Sequence, residues 1–310
     1  MAPHGGERLF TADLRVIRLI GIDIDGTLLD SRGHLPDANR DAIYEAVAAG
    51  IHVALVTGRS YPFARPVADT LPKAITLIVS SGAVERSMDG TVLARRLLDR
   101  RVAESVLAAT LPYRDHAALI FDRDEANQII FETMNWEHPG RKHYWLRNEH
   151  LIGQIVPLEQ ALVEDPIEVM FNGAATAMRE LADSLRRNAR GWAVSLTEYV
   201  HRDFSLIDVT APTATKGHAL AWRAEQLGLT RDQVMAVGDN FNDVEMLEYA
   251  GTPVLMANAA SAPSAAATIT HCTARDASPA TNRPGRWVVS YSPVRTVPLS
   301  LNSQARRLRR

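Results

Sequence analysis

A rhythm of short apolar runs, each ending in polar residues, limits this chain more than any other feature. Residues 15–25 read Arg-Val-Ile-Arg-Leu-Ile-Gly-Ile-Asp-Ile-Asp, a β-branched run that finishes in two carboxylates. Its length and branching suit a buried strand. A helical pattern follows, opened by Pro36 and Asp37, carrying Ile43 and Val47, and closed by Gly50. Residues 51–56 form a second apolar run before Thr57-Gly58-Arg59, and 76–79 a third before Ser80-Ser81-Gly82-Ala83. Strand–helix–strand order with short links predicts an α/β fold with a doubly wound parallel sheet.

The rhythm breaks in the middle and then resumes. Between about 85 and 209, strand-like runs at 118–121, 128–131 and 167–171 mix with a helical stretch at 175–188. A hairpin expected around 122–125 implies antiparallel pairing, hence an α+β unit. The parallel pattern returns with a helix from Lys216 to about Gly228, a strand at 234–237, a helix through Val244 and Leu247, and a strand at 254–256. One domain is therefore expected in two pieces, 15–84 and 210–274, with 85–209 inserted as a cap. Residues 275–310, rich in Pro, Arg, Asn and Ser, are expected to be loosely packed, with Trp287-Val288-Val289 as an exception. A length of 310 residues accommodates two domains.

Composition narrows the partners. The formal net charge of −2 gives no overall field toward nucleic acid or an anionic membrane. The basic end, residues 303–310, reads as solvated chain in preference to a nucleic-acid arm. A single cysteine, Cys272, rules out a disulfide within the chain and suits a reducing compartment. No apolar run approaches the ~18 residues of a membrane helix, and the start lacks the order of a secretory signal. A cytoplasmic protein is expected.

Four polar clusters carry the chemistry. They are residues 23–27, 57–59, Lys216 and 239–243. Three follow predicted strands and the fourth opens a helix. Ligands of parallel sheets bind beyond the carboxyl ends of the strands, where these clusters would meet. Asp23 and Asp25 share a side of an extended chain and repel unless a cation or proton lies between them. Mg²⁺ prefers oxygen donors. Gly26 permits a sharp turn. Thr57 offers a hydroxyl, Gly58 lets backbone N–H groups turn toward an anion, and Lys216 is a compact positive charge, a common phosphate partner. Asp239 and Asp243 are spaced so that one reaches a metal while the next turn holds a second acid. Taken singly, each cluster has a plain reading: solvated acids, a Thr-Gly turn, a surface lysine, a helix cap. Capping accounts for one acid of the last cluster but leaves Asn242 and Asp243 unexplained.

The set Asp23-Ile24-Asp25-Gly26-Thr27-Leu28-Leu29, Val56-Thr57-Gly58-Arg59, Thr215-Lys216-Gly217 and Gly238-Asp239-Asn240-Phe241-Asn242-Asp243 resembles the haloacid dehalogenase-like superfamily. Within it, the chain is similar to the Cof-type phosphatases, which carry a large α/β cap between the second and third motifs. Ala250-Gly251 and Met256-Ala257-Asn258-Ala259 fit the same pattern, so the resemblance spans about 18–260. It implies a Mg²⁺-dependent phosphatase of small phosphorylated metabolites (a sugar phosphate, nucleotide or phosphorylated cofactor), acting as monomer or homodimer. Asp23 would be the nucleophile and Asp25 the general acid and base. Mg²⁺ would be held by the side chains of Asp23 and Asp239 and the carbonyl of Asp25, with Asp243 orienting a metal-bound water or Lys216. Thr57, Gly58, Lys216 and Asn242 would bind phosphoryl oxygens.

Two departures stand out. Ser81-Gly82-Ala83 replaces the family's Asn-Gly-Ala, and residues 272–286 do not match the acidic, Gly-containing stretch near the usual C-terminal edge of the site; Asn282 is at best a chance equivalent. A phosphosugar mutase would share the Asp-x-Asp core, and a non-catalytic phosphometabolite-binding protein is a further reading. A pump-type ATPase is disfavoured, since such relatives lack the second acid and need membrane segments. In the insert, Arg123, His143 and Tyr144 are candidate substrate contacts, while Trp136 and Trp145 read as core aromatics.

Overall fold

The computed structural model describes residues 16–123, 126–136, 138–199, 203–256, 258–259 and 270–272. Early in the chain come β1 (Leu19–Ile22), α1 (Asp37–Ala48), β2 (His52–Val56), α2 (Tyr61–Ala68), β3 (Thr76–Val79), β4 (Val84–Ser87) and β5 (Val92–Arg95). The insert supplies α3 (Arg100–Ala109), β6 (Ala117–Ile120), β7 (Ile129–Phe131), α4 (Pro139–Asn148), β8 (Ile152–Gln154), β9 (Glu168–Gly173), α5 (Ala175–Arg187), β10 (Ala193–Tyr199) and β11 (Phe204–Thr210). The chain then returns through α6 (Lys216–Gln226), β12 (Val234–Gly238), α7 (Val244–Tyr249), β13 (Thr252–Met256) and β14 (Thr270–Cys272).

The first sheet runs β14-β13-β12-β1-β2-β3-β4-β5. From β14 to β3 every pairing is parallel, with Ile22 between Val237 and Leu55. Alternating side chains of the central strands explain why helices cover both faces. Ile20, Val53 and Leu55 pack with Ile43 of α1 and Ala64 of α2. Leu19, Ala54 and Val56 pack with Leu220 of α6 and Leu247 of α7. This is the doubly wound sheet expected from the apolar runs.

Three of its strands were not anticipated. The antiparallel pair β4–β5 extends this sheet, although residues from 85 onward were expected in the insert. β14 adds a parallel strand beyond β13. The tail at 275–310, with Trp287, lies outside the described residues.

The second sheet runs β10-β11-β9-β6-β7-β8 and is antiparallel except for β7–β8. The expected hairpin is β6–β7, pairing Ala118 with Phe131. α3 and α5 cover one face through Val106, Leu181 and Leu185. On the other face Tyr144 and Trp145 of α4 pack with Phe131, Met170 and Phe63 of α2. Trp136 and Trp145 lie 4.7 Å apart between ring centroids, so they behave as packing aromatics. The chain crosses between the sheets twice, at 96–99 and 211–215. Asp122, just past β6, ties them further by accepting from Arg86 of β4 and Arg95 of β5, each at 2.8 Å. Among the described residues no helix is long and apolar enough to cross a membrane.

Glu168 and Asp208 share the sheet face that α4 covers, since Asp208 pairs with Met170 and Thr210 with Glu168. Both are half-buried. Burial pushes Asp208 up to about 6 from 3.8. Burial and then the Asp208 charge raise Glu168 well above its ordinary range. A carboxyl raised on folding favours the folded state while protonated, so its stabilisation is complete below pH ~4 and is lost as pH rises through about 6. Asp208→Asn is therefore expected to raise stability by about 1–2 kcal/mol at pH 7–8 and to change little below pH 4. Urea denaturation at the two pH values checks this, and a loss of stability at neutral pH would refute it.

Candidate active site

The site begins where β1 ends. Leu28 N donates to Asp23 O at 3.1 Å and Leu29 N to Ile24 O at 2.9 Å, which closes a wide turn over residues 24–28. Gly26 within it has φ +84°, and a Cβ there would lie 2.2 Å from Asp239 Oδ2. The position needs glycine twice, once for its backbone and once for the approach of the acid. Gly26→Ala is expected to cost about 1–3 kcal/mol and to displace Asp239. A melting curve together with phosphate-release kinetics checks it; unchanged values in both would show the turn is more plastic than drawn.

Elements from the far half of the chain close around Asp23. Lys216, first residue of α6, is 2% exposed and donates through Nζ to Asp23 Oδ1 and Asp243 Oδ1, both at 2.6 Å. Asp243 is buried, and its Oδ2 accepts from the N–H groups of Asp239 and Asn240 at 3.0 Å. Its spacing after β12 lets it fold back to cap that turn while reaching Lys216. Thr27 Oγ1 donates to Asp239 Oδ1 at 3.0 Å. Asn258 Nδ2 donates to Gly26 O at 2.8 Å and to Asp239 Oδ2 at 3.4 Å.

One oxygen each from Asp23, Asp239 and Asp243 falls within 4.8 Å of the others. Three carboxylates face one ammonium, so the cluster carries excess negative charge. Burial pushes Asp23 up to about 7, against the pull of Lys216. Burial also raises Asp239. For Lys216 burial acts downward, but Asp23 and Asp243 outweigh it and the ammonium is held. A compact, all-oxygen, net-negative cluster of this kind fits a hard divalent cation such as Mg²⁺.

Asp25 stands apart. Its side chain is 61% exposed, and Arg59 grips it with Nε to Oδ2 at 2.8 Å and Nη2 to Oδ1 at 2.6 Å. Its carboxylate is not one of the three that converge. Thr57 is buried beside this pair, its Oγ1 accepting from Arg59 N at 3.1 Å. Gly58 is exposed, and a Cβ on it would lie 3.5 Å from Ser81 Oγ. Ser81 thus borders the site. The loop holding it is tight: Ser80, Ser81 and Gly82 have φ of 50°, 56° and 103°. A Cβ on Gly82 would meet Thr215 O at 2.2 Å, so this loop abuts the start of α6. Asn242 is exposed on the turn before α7 and takes no part in these hydrogen bonds.

Two residues of the motifs have roles that the sequence did not assign. Arg59 grips Asp25, and Asn258 steadies both Gly26 and Asp239. The signal for Arg59 was its place directly after Thr57-Gly58. Asn258 lay in the matching stretch Met256-Ala257-Asn258-Ala259, with no role attached to it. Of the candidates in the insert, Arg123 is engaged by Glu164 at 2.7 Å and lies 4.2 Å from the centroid of Phe121. Tyr144 packs on the sheet face next to Phe63, with its hydroxyl raised by burial and by Glu168 and Asp208. The side chain of His143 is outside the described residues.

Residues 20–278 match the haloacid dehalogenase-like hydrolase family. The chain belongs to that family. This hydrolase is 30% identical over 251 residues to the 5-amino-6-(5-phospho-D-ribitylamino)uracil phosphatase YcsE of Bacillus subtilis, covering 78% of this chain and 85% of that one. It is 28% identical over 251 residues to the HMP-PP phosphatase of Cronobacter sakazakii, with coverage of 78% and 85%. In fold it is similar to TM0651 of Thermotoga maritima, with TM-score 0.66 at 21% identity over 83% of this chain and 92% of that one. It is also similar to the subclass IIB sugar phosphatase BT4131, with TM-score 0.58 at 20% identity over 78% and 88%. The family and the fold are those implied by the four motifs.

Proposed function

We propose that this hydrolase removes the phosphoryl group from small organic phosphomonoesters, with Asp23 as nucleophile. The observation that carries the reading is the buried Lys216, which binds Asp23 and Asp243 at once at the carboxyl end of β1. By holding Oδ1 of Asp23, Lys216 fixes the rotation of that carboxylate and leaves Oδ2 to attack phosphorus in line. The Asp23–phosphorus bond forms as the ester oxygen leaves. Asp25 donates a proton to that oxygen, then accepts one from the water that hydrolyses the aspartyl-phosphate. Its contact with Arg59 must open or turn for this, which makes Arg59 the residue that positions the acid. Thr57, the N–H groups around Gly58, Lys216 and the exposed Asn242 suit the phosphoryl oxygens, and Ser81 offers a further hydroxyl.

Asp23 and Asp239 would hold Mg²⁺, with the carbonyl of Asp25 as a further oxygen and Asp243 beside them orienting Lys216 or a metal-bound water. When bound, the ion would offset the repulsion between these carboxylates and the incoming phosphate. The relatives' names include a phosphorylated ribityl compound and HMP-PP, which supports small metabolites as substrates here too.

The test is phosphate release from a panel of phosphorylated sugars, nucleotides and cofactors, with Mg²⁺ and with excess chelator. Release is expected with the ion, and chelator is expected to lower it about 10²-fold or more. Isomerised phosphosugar without free phosphate would make the protein a mutase. Asp25→Asn is expected to cut turnover about 10²–10⁴-fold while leaving Mg²⁺ affinity largely intact. A loss of affinity equal to that of Asp239→Ala would count against its assignment as acid and base.

A further inference from the structure

A cavity of about 800 Å³ opens where the chain passes between its two sheets. Its wall takes Arg96 from the first crossing, Thr213 from the second, Leu93 from β5, His218 and Trp222 from α6, and Tyr249 at the end of α7. The exposed carboxylate of Glu225 also stands on this wall, opposite in charge to Arg96, whereas none of the acids of the catalytic cluster lines it.

Cationic groups outnumber their partners beside this wall. Arg96 donates through Nη1 to Gly82 O at 3.1 Å, and its guanidinium carbon lies 5.2 Å from the centroid of the Trp222 ring. Arg223 approaches the same ring at 5.6 Å and pairs with the buried Glu85. The Nη2 atoms of both arginines are buried and have no hydrogen-bond partner. Glu85 Oε2 is the one acceptor left over among these three side chains. As placed, that oxygen accepts from neither Nη2. Burial pushes the Arg96 guanidinium down, more than Glu85 restores it. Folded proteins rarely leave buried charged donors unpaired, and each such group calls for a reason.

We infer that this cavity binds an organic anion, with a carboxylate or phosphate-type head on Arg96 and an apolar body along Trp222, Leu93 and Tyr249. The planar fork of arginine takes either head through paired hydrogen bonds once the side chain turns its buried Nη2 toward the cavity. The volume suits a metabolite-sized molecule. The occupant would also act on the catalytic site. Arg96 holds the carbonyl of Gly82, which abuts Thr215 next to Lys216, and Trp222 lies on the helix that Lys216 opens. An anion on Arg96 would loosen or fix that carbonyl and so shift Ser81 and Lys216 together. This second step rests on the phosphatase reading; the binding does not.

Benzoate and phenylphosphonate are the probes, since neither contains a phosphoester bond. Calorimetric titration of the full chain is expected to show saturable binding of at least one, and the one that binds names the head group. Arg96→Ala is expected to weaken it about tenfold or more. Leu93→Glu places a carboxylate at a rim position that is 38% exposed and is expected to repel the anion without disturbing the core. Binding at the catalytic site would ignore Leu93→Glu, and if Arg96→Ala fails to fold by circular dichroism, Leu93→Glu decides alone. No saturable binding of either probe up to about 10 mM, or equal affinity in the variants that fold, overturns the site. With the best substrate, the bound probe is expected to change phosphate release about twofold or more in the parent chain and not in Leu93→Glu. Binding without that change keeps the site and overturns its regulatory role.

Discussion

Asp23→Asn should reduce phosphate release by about four orders of magnitude or more, because no other carboxylate of the site is free to take its place. Asp243 is buried and spent on Lys216 and two backbone N–H groups. Asp239 is tied to Thr27 and Asn258. Asp25 points to Arg59. The substitution keeps the shape of the side chain and its acceptor for Lys216, so the fold should survive. Acid-quenched parent protein should yield one phosphorylated peptide containing Asp23 during turnover, and the variant none. Retained turnover, or a phosphorylated peptide from elsewhere in the chain, would sink the assignment. A variant that binds ligand as before and shows the same activities would instead make this a binding protein.

Lys216→Met should be the most destabilising change in the core that adds no steric clash. It strips the ammonium from two buried carboxylates and leaves them facing each other. Breaking a buried pair from one side costs about 3–5 kcal/mol, much of it the orphaned charge. Since two acids lose their partner, the upper part of that range is expected at neutral pH. Adding Asp243→Asn should restore part of the loss, because an amide there still accepts from Asp239 N and Asn240 N. Urea denaturation of the single and double variants measures it. If the double variant were less stable than the single one, the repulsion between the acids would not be what destabilises Lys216→Met, and the packing of the lysine stem would matter more. Any Mg²⁺ present must be removed first, since the ion would mask the repulsion.

The sequence carried most of the core, and of the candidate site it pointed to Asp23, Lys216, Asp239 and Asp243, which the fold brings together. The parallel strands were legible because both faces of each are buried, which leaves near-continuous apolar runs. The pair β4–β5 was hidden by its charges. Glu85 and Arg86 sit inside a strand, and both are buried because Arg223 and Asp122 come from elsewhere to meet them. A reading of local hydrophobicity cannot see a partner 138 positions away. The same limit hid the work of Asn258, whose hydrogen bonds reach back 232 residues to Gly26. Asp25 shows the reverse case. Its period-two relation to Asp23 suggested two acids on one side, but the turn at Gly26 sends the two carboxylates to different partners.

The loop after β3 holds its serine in an unusual backbone conformation. Ser81 adopts φ 56° and ψ 24°, the left-handed region. Serine has no special ease there, whereas asparagine is among the few residues besides glycine that enter it readily. The main chain therefore has a shape that suits asparagine, the residue that the family resemblance leads one to expect here. A descendant could gain that amide by exchanging one residue, with no rearrangement of the loop. The occupant of this corner of the pocket is in that sense exchangeable, whereas Gly82, wedged against Thr215, is not.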